Sequence, residues 1–299
     1  MIRSRRATMW AVLLAGALAG AAGCRRQAPP VAELTVSPSS LQLAYAEFTD
    51  IELAFTPKVG RAALGLSPTV FVHLLDGPGN VLRTFDHPLP ASWKPGQPVR
   101  YPLRLVQSAL GEPLPEGGYT LSLGIYDADD RRRFPLEARG EEIDRAEYAV
   151  AAVRVPPPTG SLPRFEFSSS WLPAQAGADQ QLVASRWLGE AEGSLRVTGL
   201  APGSRLHLVL RLPSGSEPGM HFERLPDVEG PVLQVRSNCS PEESMLTGPG
   251  AHTVELTVPA SSGEGACDLH LAANFLLAGE RAAVRFSVRL ESLAWQSAR

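Results

Sequence analysis

Lysine is almost missing from this chain: Lys58 and Lys94 are the only two in 299 residues, and isoleucine and asparagine are scarce, a bias expected of GC-rich coding. An excess of either charge is missing too. Lysine plus arginine number 28 against 31 aspartate plus glutamate, a formal net charge of −3. That excludes the concentrated basic surface with which a nucleic-acid binder displaces counterions. There are few long apolar periods at helical spacing, and none of the signatures HExxH, GxSxG, P-loop or GxGxxG opening a helix, so the enzyme classes they report gain no support. Charged residues make up 20% and mean hydropathy is −0.05, which excludes a wholly disordered or multi-pass membrane chain. What is abundant is glycine and proline, 27 of each. Frequent turn punctuation in a chain of this length predicts an all-β protein of about two domains.

The N-terminus predicts export. Arg3, Arg5 and Arg6 precede an uncharged stretch, 7–23, that is too short and too rich in alanine and glycine for a membrane span. It ends in Ala21-Ala22-Gly23-Cys24, which resembles a bacterial lipoprotein signal, apart from Ala21 where a larger aliphatic residue is usual. The resemblance implies a signal peptide over 1–23 and lipidation (palmitate among the acyl chains) at Cys24. Ordinary cleavage after Ala19-Gly20-Ala21, giving a periplasmic or secreted protein, is the alternative. The mature chain then carries 25 basic and 31 acidic residues. Arg25 stands where sorting signals for inner-membrane retention resemble aspartate, which favours the outer membrane. A tether over 24–31 follows.

Only two other cysteines exist, Cys239 and Cys267. In an oxidising compartment they are expected to form a disulfide, since isolated cysteines without a CxxC pair make a poor metal site. No metal and no cofactor is expected.

Three consecutive prolines in Val155-Pro-Pro-Pro-Thr-Gly-Ser-Leu-Pro163 mark a linker over 156–163. The segment before it, 32–155, offers eight strands: Glu33–Val36, Leu41–Tyr45, Ile51–Phe55, Thr69–Asp76, Val81–Asp86, Val99–Leu105, Tyr119–Asp127 and Tyr148–Val155. Tyr119, Leu121, Leu123 and Ile125 alternate with small residues, the pattern of a half-buried strand, and the stretch Thr69–Leu75 is apolar on both faces, as a central strand would be. Pro115-Glu-Gly-Gly-Tyr119 predicts a tyrosine corner. These features suggest an immunoglobulin-like sandwich. Phe71-Val-His-Leu-Leu-Asp-Gly-Pro-Gly-Asn80, Asp86-His-Pro88, Trp93-Lys-Pro-Gly96 and Pro115-Glu-Gly-Gly-Tyr-Thr-Leu-Ser-Leu-Gly-Ile-Tyr-Asp127 resemble a β-sandwich module appended to, or encoded beside, bacterial membrane glycosyltransferases of the mannosyltransferase type. The resemblance covers about 70–135 and brings no assigned chemistry with it.

The segment 164–299 alternates more regularly, around Leu206–Leu212, Val254–Val258, Leu269–Leu277 and Val284–Leu290. Leu293 and Trp295 fall in the opposite phase, which predicts a β-bulge near Glu291–Ser292. A jelly-roll-like sandwich is the expected fold. Ser170-Trp-Leu-Pro173 and Ser185-Arg-Trp-Leu188 resemble a carbohydrate-binding-like sandwich downstream of the same transferases, whereas Gly279-Glu-Arg-Ala-Ala283 departs from the Asp/Arg-rich turn expected there.

Sugar binding is the sharpest chemical expectation, because sugar C–H faces stack on aromatic rings while Arg, Asn and His side chains bond the hydroxyls. The candidates are Trp171, Trp187, His207, Arg211, Asn274, Arg285 and Arg289. His207 and His270 sit on polar strand phases and could share a sheet face, and His73, in an apolar strand, reads as a satisfied buried imidazole. Asp127-Ala-Asp-Asp130 before Arg131-Arg-Arg133 reads as a solvated, salt-bridged hairpin tip rather than a calcium loop, and Glu141-Glu-Ile-Asp144 as an exposed acidic turn. The expected function is a non-catalytic envelope lipoprotein, a glycan-binding or accessory module of envelope polysaccharide biology. Its expected partners are the membrane, through the lipid, and polysaccharide. The alternative is a structural or assembly lipoprotein that binds envelope proteins.

Overall fold

The computed structural model describes residues 28–157, 162–177, 184–216, 219–224, 230–259, 266–279 and 284–298. Cys24, the centre of the Pro-rich segment and the turn 280–283 lie outside them. Among the described residues the chain is all β, with one 3-10 turn at Arg61–Leu64 and no helix long and apolar enough to cross a membrane.

Two sheets form from residues 32–155. In the first, Glu137–Ala138, Ala32–Ser37, Phe48–Pro57 and Val99–Val106 lie side by side. In the second the order is Glu142–Asp144, Glu147–Val155, Gly117–Asp127, Pro68–Leu75 and Val81–Thr84. Pro68–Leu75 has strands on both sides, as its two apolar faces require. Leu53, Phe55, Val70, Val72, Leu74, Leu121, Leu123 and Ile125, all fully buried, fill the space between the sheets. The Tyr119 hydroxyl donates to the Pro115 carbonyl at 2.6 Å, completing the tyrosine corner.

Residues 164–296 build a second sandwich. Arg164–Phe167, Glu192–Thr198, Cys267–Ala273, Val232–Ser237 and Ser240–Thr247 form one sheet; Gln175–Ala176, Ala184–Trp187, Arg289–Gln296, Arg205–Leu212 and Gly250–Thr257 form the other. Leu195, Leu208, Leu210, Leu269, Leu271 and Phe275 are buried in its core. Val209 pairs with Ser292 and Leu210 with Leu290, so Glu291 is the extra residue and the bulge falls where the phase change places it. Cys239 and Cys267 form a disulfide within this core.

The sandwiches meet without relying on the proline segment. The Ala109 N–H donates to the Leu293 carbonyl at 2.7 Å and the Trp295 N–H to the Ala46 carbonyl at 2.8 Å. Ala109 and Leu110 pack against the second core. Beside them, Arg104 pairs with Asp50 at 2.8 Å and with Glu255, and its guanidinium lies 4.2 Å from the centre of the Phe48 ring.

Candidate functional site

The four short motifs of the first sandwich are separate in sequence, and residues from three of them converge on one cavity. It measures about 380 Å³ and is lined by Phe71, His73, Asp86, Tyr126, Arg131 and Arg133. Strand alternation explains why. In Pro68–Leu75, Val70, Val72 and Leu74 point into the core, which sends Phe71 and His73 to the other face. In Gly117–Asp127, Leu121, Leu123 and Ile125 point inward, which leaves Ser122, Gly124 and Tyr126 outside. The register then sets Phe71 opposite Gly124 and His73 opposite Ser122.

Gly124 matters because it has no side chain. A Cβ there would lie 2.2 Å from Phe71 Cζ and 2.4 Å from the Ala146 carbonyl oxygen. The space is taken by the Phe71 ring, which is tilted against Tyr126 with centroids 6.0 Å apart and carries the Arg133 guanidinium at 4.9 Å.

The polar side of the cavity is tightly wired. Glu147 is buried and accepts from the Ser122 hydroxyl at 2.6 Å, His73 Nδ1 at 3.3 Å and Arg133 at 3.2 Å. Burial pushes the Glu147 carboxyl up, but bonds from His73 and Ser122, with the His73 and Arg133 charges, outweigh it and hold the group below the ordinary glutamate value. Asp86 accepts the Val72 N–H at 3.1 Å and lies 3.7 Å from His73 Nε2. There burial prevails and raises the carboxyl above its ordinary value. His73 is therefore a satisfied imidazole between two carboxylates.

Serine, histidine and glutamate side by side invite comparison with a hydrolytic triad, and the geometry argues against one. The Ser122 hydroxyl is fully buried and donates to the carboxylate, not to the imidazole, so the imidazole is not placed to activate it. Facing the cavity are the Asp86 carboxylate, the Tyr126 ring and the Arg131 side chain.

The residues expected to bind sugar are dispersed across the second sandwich. Trp171 and Trp187 are both buried: Trp171 donates its Nε1–H to the Ser194 carbonyl at 3.0 Å, and Trp187 packs edge-on against Phe286. Arg211 and Arg289 face each other across neighbouring strands and share Glu291. Asn274 bonds across to the start of the neighbouring strand, accepting from the Val232 N–H at 2.8 Å. Arg285 makes a two-bond pair with Glu223, each at 2.7 Å. His207 and His270 do not share a sheet face, since Arg205–Leu212 and Cys267–Ala273 belong to opposite sheets. Asp127 is not solvated either. It is buried, accepts the Ser67 N–H at 3.0 Å and abuts Gly65, because the loop before Pro68–Leu75 folds over it. Among the described residues no group of three or more His, Cys, Asp or Glu is placed to hold a metal ion.

His207 lies at the joint rather than on an open face. It is 6% exposed, its ring 5.5 Å from that of Phe48, and Nδ1 accepts from Arg104 at 3.0 Å. Burial first, and the Arg104 charge second, push the imidazole down to about 4, against the pull of Glu255 and Asp50. The unfolded chain takes up this proton near pH 6.5 and the folded chain only near 4. Stability is thus unaffected above about pH 6.5 and falls as pH drops from there toward 4. We expect His207→Gln to remove about 2 kcal/mol of the loss between pH 7 and pH 4.5, allowing for partial solvent screening. Urea unfolding of both proteins at the two pH values measures this. Parallel pH dependences would show that His207 is not the titrating group.

No family model matches the chain, and no curated protein matches it significantly. Solved structures that align along most of it include one described for the promiscuous specificity of carbohydrate-binding modules of the β-sandwich superfamily, at 12% identity, 90% of this chain, 98% of that one and TM-score 0.25. Another is Salmonella alpha-2-macroglobulin reacted with methylamine, at 16% identity, 89% of this chain, 15% of that one and TM-score 0.24. A third is Escherichia coli alpha-2-macroglobulin in its native conformation, at 13% identity, 90%, 14% and TM-score 0.22. This chain spans about a seventh of the macroglobulin chains. Scores this low carry no inference about site or ligand.

Proposed function

We propose that this protein is a non-catalytic accessory of cell-envelope polysaccharide, exported and held at the outer membrane by a lipid on Cys24, and that it binds sugar in the cavity of its first sandwich. The observation that carries the proposal is the convergence of Phe71, His73, Asp86 and Tyr126, drawn from three motifs, on one cavity. Its volume suits one or two sugar rings. An aromatic ring beside a carboxylate and a guanidinium supplies the stacking surface, acceptor and donor that a sugar's C–H face and hydroxyls need. The buried wiring of Glu147 and His73 holds these groups in place before a ligand arrives, so little ordering entropy is lost on binding.

The test uses the exported chain and its Cys24→Ser form, which should move from the membrane to the soluble fraction. Affinity electrophoresis of that soluble form through gels of envelope polysaccharides should show retardation. Tyr126→Ala and Asp86→Asn should each weaken binding about tenfold, or about 1.4 kcal/mol. No retardation by any envelope polysaccharide would refute the sugar reading, and a Cys24→Ser form still on the membrane would refute the anchor.

A further inference from the structure

Arg131 occupies a position that its backbone does not favour. Its φ is +56°, in the left-handed region, where a residue with a side chain is less stable than glycine. The turn needs only backbone here: the Arg131 N–H donates to the Asp127 carbonyl at 2.8 Å and the Asp127 N–H to the Arg132 carbonyl at 3.0 Å. Glycine would make the same bonds with less strain. The side chain therefore has no role in forming the turn, and it lines the cavity.

Its neighbours in the run are committed elsewhere. Arg132 lies 3.7 Å from Asp130 and over the Phe134 ring, and Arg133 is held by Asp144, the Arg145 carbonyl and Glu147. Arg131 is exposed, and among the described residues its guanidinium has no ion pair and no hydrogen bond. The two carboxylates nearest the cavity do not claim it: Asp86 is turned to the Val72 N–H and His73, and Glu147 to Ser122, His73 and Arg133. A strained backbone that presents an unpaired cation at the cavity points to an anion supplied from outside.

We infer, on the reading that this cavity holds sugar, that the sugar is acidic and carries a carboxylate, with Arg131 as its partner. The planar guanidinium fork matches a carboxylate with two parallel hydrogen bonds. Asp86 then accepts from a ring hydroxyl, and Tyr126 lies beside the ring. This assigns the cavity to a uronic-acid residue of a polysaccharide rather than to a neutral hexose.

The experiment compares oligouronates, among them oligogalacturonate and oligomannuronate, with their methyl esters and with sulfated oligosaccharides of equal length, by calorimetry at low ionic strength on the soluble Cys24→Ser protein. At least one free acid should bind at least tenfold more tightly than its ester. Arg131→Gly should erase that preference while the thermal midpoint stays unchanged or rises, because the left-handed strain is relieved. Arg131→Lys, which keeps the charge but loses the fork, should recover only part of it. Equal binding of acid and ester, binding of sulfated chains alone, or a preference that survives in Arg131→Gly each overturns the assignment. Neutral binding in the cavity would leave the sugar reading standing, whereas no binding of acid, ester or sulfated chain would remove both.

Discussion

Replacing Cys239 and Cys267 together by alanine should lower the unfolding free energy by about 3–4 kcal/mol. The two residues are 28 apart in sequence. A cross-link of that span removes loop-closure entropy of this order from the unfolded chain in the chain-entropy account. The bond ties the turn after Val232–Ser237 to the first residue of Cys267–Ala273, so the intervening strands, Ser240–Thr247 in one sheet and Gly250–Thr257 in the other, leave and return at a fixed point. Both cysteines are buried, 5% and 0% exposed. Alanine fills most of the space and leaves no polar atom stranded, so the measured loss reports mainly the constraint. Guanidinium unfolding checks it. Thiol reductant should shift the parent by the same amount and leave the double variant unmoved. An unchanged midpoint in the double variant would show that the bond carries no stability.

Gly124→Ala should cost about 3–4 kcal/mol and abolish ligand binding with it. The added methyl meets the Phe71 ring on one side and the Ala146 carbonyl on the other, at 2.2 and 2.4 Å. A ring can tilt away, but the Ala146 carbonyl belongs to the tight turn joining Glu142–Asp144 to Glu147–Val155 and moves only with it, and overpacking a filled space is destabilising. Phe71 is the floor of the cavity, so its displacement spoils the site as well as the fold. Gly77→Ala is the control, because nothing lies within 4 Å of a Cβ there and the change should stay within about 0.5 kcal/mol. If Gly124→Ala unfolds no more easily than Gly77→Ala, Phe71 is not locked in the position described.

Much of the fold was legible because its signals are local. The eight strands expected before the proline segment are all present, and the tyrosine corner needed only Tyr119 and Pro115, four residues apart. The bulge at Glu291 could be read from a change of phase within one strand. The candidate site was not legible in the same way. Its residues were quoted as motifs, but Tyr126 meets Phe71 and Asp86 only through the pairing of Pro68–Leu75 with the distant Gly117–Asp127, and Glu147 reaches His73 from 74 residues away. Nor could alternation reveal that a polar strand phase is covered. His207 reads as solvent-facing until Phe48 and Arg104 of the other sandwich close over it. Trp171 and Trp187 sit near strand ends, where aromatic rings serve sugars or cores equally well, and only packing assigns them to the interior.

The edges of the first sandwich have a consequence for the order of events. Ser40–Gln42, near the start, pairs in parallel with Glu147–Val155, and Ala32–Ser37 pairs in parallel with Glu137–Ala138. A chain delivered from one end, whether by a ribosome or through a translocation channel, cannot complete either pairing until more than a hundred further residues have emerged. Pairings this distant also form slowly. Ser40–Gln42 thus stays without its strand partner during delivery, whereas Ala32–Ser37 can pair early with the nearby Phe48–Pro57, so the leading end of the sandwich closes in two stages.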